Sequence, residues 1–95
     1  MSDNSNLPLS GVRVLDLTTV LFGPYATQIL GDFGADVIKI EAPGGDPVRH
    51  LGPARNSAMG ALFLGSNRNK RSIVLDLKGS AGRDALWRLI DKADM

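Results

Sequence analysis

Residues 20–41 read VLFGPYATQILGDFGADVIKIE, a glycine-bearing loop, then a helical pattern, then a short apolar run. Pro24 suits the first position of a helix, where its φ is preset and no hydrogen bond is lost. Ala26, Ile29, Leu30 and Phe33 fall at i, i+3, i+4 and i+7, a stripe expected to face a sheet, and Gly34 follows as a left-handed stop. Residues 37–40, Val-Ile-Lys-Ile, then predict a strand. Upstream, residues 12–17 are β-branched at their start and too few for a helix, so they predict the first strand, behind a flexible leader over residues 1–10. Downstream, two prolines and two glycines within residues 42–47 predict a surface loop. Residues 59–64 predict one or two helical turns anchored by Phe63. A polar turn over residues 67–71 leads to a third strand over residues 72–77, apolar enough for a sheet interior. Ser80 is placed to cap a last helix with Ala85, Leu86, Leu89, Ile90 and Ala93 as its buried stripe. The order predicts an α/β fold, with a parallel sheet and right-handed crossovers, cut short where such a fold returns to another strand.

The chain has 95 residues, 43% of them hydrophobic, and a formal net charge of +1, enough for one small core. Without cysteine it has no disulfide, thiolate nucleophile or cysteine-held zinc, which fits a reducing compartment. Residues 1–6 are polar and lack the basic and apolar regions of a secretory signal. No apolar run approaches the roughly 20 residues that span a bilayer. These features predict a cytoplasmic protein without a membrane segment. Nucleic acid is not an expected partner either, because the charge is near zero and the few aromatic residues do not interleave with basic ones.

The loop after the first strand offers limited chemistry. A dinucleotide site needs three glycines there, whereas this loop has Gly23 alone, preceded by bulky Leu21 and Phe22. Glu41 ends the second strand 41 − 23 = 18 residues later, near the spacing of a ribose-binding acid. Backbone N–H groups at the helix start, Pro24-Tyr25-Ala26, could meet an anion or a thioester oxygen, or water. Arg68, Lys70 and Arg71 put three positive charges in four residues beside the third strand, and Lys78 follows it; they could meet phosphates or form a solvated turn. Asp16 and Asp76 sit at corresponding strand ends, as site residues or as braces for adjacent loops. His50 stands alone, so no metal site is expected. Ser57, Ser66 and Ser72 lack the G-x-S-x-G context of an activated nucleophile. From the residues alone the reading ends at a phosphate-capable α/β half-domain.

Several motifs in register carry it further. GVRVLDLT at residues 11–18, GPYATQ at 23–28, GADVIKIE at 34–41, Gly45-Asp46, NKRSI at 69–73 and LDLK at 75–78 resemble the amino-terminal signature of the class III CoA-transferase family, from about Leu9 onward. The family includes formyl-CoA and carnitine CoA-transferases and α-methylacyl-CoA racemase. The resemblance implies that residues 11–95 are the amino-terminal part of a Rossmann-like CoA-binding domain. Its substrates would be an acyl-CoA and a small carboxylate, with no permanently bound cofactor. It also implies a homodimer, interlocked when full length. By position, Val20, Leu21 and Phe22 match the loop lining the CoA site, and Leu75 and Lys78 match residues near its nucleotide end. Arg71, from the basic cluster, joins them as a phosphate-capable charge. Ala42 stands where some transferases have an arginine, and Leu21 replaces a glutamine of the formyl-CoA branch, which argues against that substrate. The family's transferases use an aspartate nucleophile, passing through an acyl-aspartyl anhydride and an aspartyl-CoA thioester. That aspartate is expected beyond residue 95, so no residue here inherits the catalytic role and the chain alone is expected to be inactive. A racemase-type enzyme and a non-catalytic CoA-binding or assembly module are the alternatives, while the missing glycines count against a dinucleotide oxidoreductase.

Overall fold

The structure, a computed structural model, describes residues 7–50, 65 and 67–95. The helical turns expected over residues 59–64 lie outside them, as do Ser57 and Ser66. Three parallel strands form a sheet in the order β1-β2-β3: β1 is Arg13–Asp16, β2 is Asp36–Glu41 and β3 is Lys70–Val74. A helix α1, Phe22–Asp32, joins β1 to β2, a 3-10 turn covers Pro47–His50, and α2, Ser80–Ile90, follows β3. The α/β class and the parallel sheet are those expected from the strand–helix alternation.

The pleat divides the sheet residues between two faces. Val14 and Val37, opposite each other in register, carry the core on one face with Ala35, and Leu9, Val12 and Leu30 pack against it. Leu9 lies inside the expected flexible leader, yet its N–H donates to Phe33 O at 2.8 Å. Further along the same face Asp16, Lys39 and Glu41 are buried too. On the other face Leu15 and Leu17 border a hollow of about 280 Å³ with Ile90, the last residue of α2, and Ala93 beyond it. The backbone of Asp94 and Met95 runs along the free side of β1, both N–H groups donating to Arg13 O, and Leu15 N–H donates to Met95 O at 2.8 Å. Chain thus lies on both sides of β1, with β2 on the other.

Both helices depart from the expected pattern. α1 begins two residues before Pro24 and buries Pro24, Gln28 and Gly31; of the expected stripe, Leu30 packs on the core whereas Ala26, Ile29 and Phe33 are exposed. The reason is close approach: Gly31 leaves room for Asn69 and Val37, and Gln28 accepts a hydrogen bond from Arg68 N–H at 3.2 Å. Exposed Phe22, Tyr25, Ile29 and Phe33 line the outer side instead. The expected stop at Gly34 is present, with φ 103°. At α2 the cap is Gly79, not Ser80, without a side-chain bond, and none of its residues is fully buried. β3, expected in a sheet interior, exposes Arg71, Ser72 and Val74, because among the described residues it pairs with β2 alone.

Candidate functional site

In an open α/β sheet ligands bind outside the carboxyl ends of the strands, where connections leave in opposite directions. Here the loops after β1, β2 and β3 meet at the carboxyl ends of their strands. A pocket of about 530 Å³ opens there, within the size range of small-molecule sites. Leu17, Ile40, Leu75 and Leu77 give it apolar walls, and Glu41, Asp76 and Lys78 give it charge. Two similar turns shape it. Asp16 Oδ1 accepts Thr18 N–H at 2.9 Å, and Asp76 Oδ1 accepts Lys78 N–H at 3.1 Å, so each aspartate braces the backbone two residues on. Gly82 lets α2 close on the second turn, since a Cβ there would lie 2.7 Å from the Asp76 carbonyl carbon.

Beneath the first loop lies a buried charge cluster that sequence reasoning missed. Lys70 pairs with Asp16 at 2.8 Å and Lys39 with Asp46 at 2.9 Å, all four side chains within 1% of full burial. Asn67 Oδ1 accepts from both ammonium groups, at 2.7 and 3.0 Å. Burial pushes the Asp16 carboxyl up, but bonds from Lys70, Thr18 and Thr27 together outweigh it and hold Asp16 below the usual carboxylate range. Burial lowers Lys70, against the opposing pull of Asp16. The cluster grips the loop backbone: Lys39 Nζ donates to Thr18 O at 3.3 Å, and Val20 N–H donates to Asp46. Thr18 folds against Gly23, where a Cβ would sit 2.5 Å from the threonine Cβ. The single glycine therefore serves a close approach of the loop to its own helix. The only available signals were a lysine amid the apolar residues of β2 and the Gly45-Asp46 pair.

Glu41, spaced like a ribose-binding acid, is a hub of the second loop instead. Arg49 grips it through two bonds of 2.7 Å, and Asp46 N–H and Ser72 Oγ donate to it. The Arg49 guanidinium is the main reason its pKa falls to about 2. The basic cluster is likewise dispersed. Lys70 is buried, Arg68 pairs with Asp32 at 3.0 Å, and Arg71 pairs with Asp36 at 2.7 Å.

Of the expected coenzyme residues, Leu75 and Lys78 share the pocket, and Val20, Leu21 and Phe22 stand exposed at the start of α1, outside its lining. Arg71 does not join them; with Arg13 and Asp36 it borders a separate hollow at the amino ends of the strands. The donors expected at residues 24–26 also change. Proline has no N–H, and Tyr25 N–H already donates to Leu21 O at 2.8 Å. Among the described residues no cluster of acidic or histidine side chains could hold a metal ion, and no helix is long and apolar enough to cross a membrane.

The sequence matches the profile of CoA-transferase family III over residues 9–95. The chain belongs to CoA-transferase family III. Within the family it is 51% identical over 96 residues to the human succinyl-CoA:glutarate CoA-transferase, covering 99% of this chain and 22% of that one. It is 47% identical over 91 residues to the succinyl-CoA:mesaconate CoA-transferase of Haloarcula hispanica, covering 92% and 23%. Among solved structures, a CAIB/BAIF family protein from Brucella suis superimposes with a TM-score of 0.87 at 43% identity, over 94% of this chain and 25% of that one. The chain thus spans about a quarter or less of the length of the family III relatives it matches.

Proposed function

We propose that the chain supplies the coenzyme-binding side of a class III CoA-transferase that moves coenzyme A from an acyl-CoA thioester to a small carboxylate. The observation that carries this reading is the pocket at the carboxyl ends of the strands, where Leu75 offers an apolar surface to the adenine and Lys78 a cation to the phosphates. Val20, Leu21 and Phe22, on the adjoining loop, face the thioester arm on this reading. Arg71 keeps a place in it only at a distance, as a charge shared with Asp36. Succinyl-CoA is the proposed donor, because the names of the human and Haloarcula relatives carry it; the same names favour transfer over racemisation. Coenzyme A passes through a thioester with an aspartate beyond residue 95, the donor's acyl group leaving as a free carboxylate, in a complete enzyme that is an interlocked cytoplasmic homodimer.

Calorimetric titration of the complete enzyme with coenzyme A tests the reading, with NADH as the control ligand. Loss of one charge-assisted phosphate contact is worth about 1.5–3 kcal/mol, so Lys78→Ala should weaken coenzyme binding by roughly tenfold or more at low salt. The difference from wild type should shrink as salt screens the charge. An unchanged dissociation constant, or binding of NADH in place of coenzyme A, would count against the assignment.

A further inference from the structure

We propose that Asp46 is a positioning residue for the coenzyme loop, its buried carboxylate holding the Val20 backbone in the conformation that presents residues 20–22 to the ligand. The inference rests on the coenzyme reading above. Val20 has φ 71°, a left-handed conformation that a β-branched residue rarely adopts. The residue is 46% exposed, so packing does not hold it there. Its N–H, however, donates to both oxygens of Asp46, at 3.2 and 3.3 Å. Asp46 cannot swing away, for its carboxylate pairs with Lys39 in the interior and its own N–H donates to Glu41 Oε1 at 2.7 Å. Lys39 meanwhile takes the carbonyl of Thr18. One buried ion pair therefore fixes the loop backbone at two points, two residues apart.

The hold comes from the neighbouring loop. Gly45, with φ 84°, lies where a Cβ would be 2.9 Å from Arg49 Cδ and 3.2 Å from Glu41 Oε1, so the chain can fold around Glu41 and aim Asp46 at the first loop. The same loop lends Ala42 and Pro43 to the pocket wall. A loop already held in its bound shape spares the ligand the ordering cost, which is how a residue without ligand contact raises affinity.

A merely structural ion pair and a positioning one part company when the pair is replaced by apolar residues. Exchanging a buried pair for hydrophobic side chains of similar volume commonly leaves stability intact. In the complete enzyme, Lys39→Met/Asp46→Leu should therefore melt closer to wild type than either single variant, short of full recovery because Val20 N–H, Thr18 O and Asn67 Oδ1 lose a partner, yet bind coenzyme A on the order of tenfold more weakly, with faster hydrogen exchange at the Val20 amide. Asp46→Asn keeps an acceptor for Val20 and should hold coenzyme affinity within about threefold of wild type while losing thermal stability. A stable double variant with wild-type affinity, or an Asp46→Asn protein that loses affinity while Val20 exchange stays slow, would overturn the role. Absence of coenzyme binding in every protein, wild type included, would instead overturn the coenzyme reading on which the role depends.

Discussion

Lys70 shows how far one side chain can depart from its sequence neighbourhood. It stands in Asn-Arg-Asn-Lys-Arg, a stretch that reads as a solvated turn, yet its ammonium is buried between Asp16, Asn67 and the Pro24 carbonyl, at 2.7–2.9 Å. Because β3 pairs in register with Val37 at Lys70, the pleat aims Lys70 at the α1 face and Arg71 at the other. Lys70→Ala would leave the Asp16 carboxylate buried without its counter-charge, and a broken buried pair costs about 3–5 kcal/mol. The denaturant midpoint of this variant is expected to fall accordingly. Asp16→Leu/Lys70→Met should recover only part of the loss, since Thr18 N–H and the Thr27 hydroxyl also bond to Asp16. A single variant as mild as a surface change would refute the account.

Among the elements, the turn joining β3 to α2 depends on a glycine inside a helix. Helix propensity alone favours alanine over glycine by about 1 kcal/mol. At Gly82 the added Cβ would press on the backbone of Asp76, whose nitrogen would lie 3.2 Å away. Gly82→Ala is therefore expected to lower the melting temperature by on the order of 5 °C. It should also weaken coenzyme binding, because Lys78 stands in the displaced turn. A raised melting temperature would show that the turn relaxes freely. The elements themselves were largely legible: the cores of the first two strands, the stop at Gly34 and the break after Glu41 follow from residue type and spacing, whereas β3 starts at Lys70, inside the expected polar turn, and ends at Val74 instead of residue 77. Which side of α1 faces inward was not. Periodicity selects the most apolar stripe, whereas close approach to β3 selects the narrow side with Gly31, and Gln28 is admitted because Arg68 N–H satisfies it.

Across the whole molecule, the apolar core occupies one end of the α1 face and ion pairs fill the other. Stability should accordingly depend on acid. Glu41 falls from an ordinary 4.5 to about 2 through its bonds with Arg49, and Asp16 is lowered as well. A carboxylate whose folded pKa lies below its unfolded value stabilises fully above the unfolded value and loses that contribution as pH falls through the folded one. The Glu41 shift corresponds to about 3 kcal/mol, present above roughly pH 4.5 and lost towards pH 2. Melting temperature should thus drop steeply between pH 5 and pH 2.5, and Glu41→Gln should flatten that slope while lowering stability at neutral pH. A wild-type profile that stays level over this interval would contradict the ion-paired interior.

The α/β order and the parallel strands were determined by sequence alone, because alternation, turn residues and helix stops act over a few neighbouring positions. Only the tertiary structure decided what the charges do. It turned Glu41 from a ligand candidate into a loop hub, separated Arg71 from the pocket, and put Lys39, Lys70 and Asp46 under the loop they support. Those roles arise between residues up to 54 positions apart, where the cost of burying a charge is met by a partner that local pattern does not reveal.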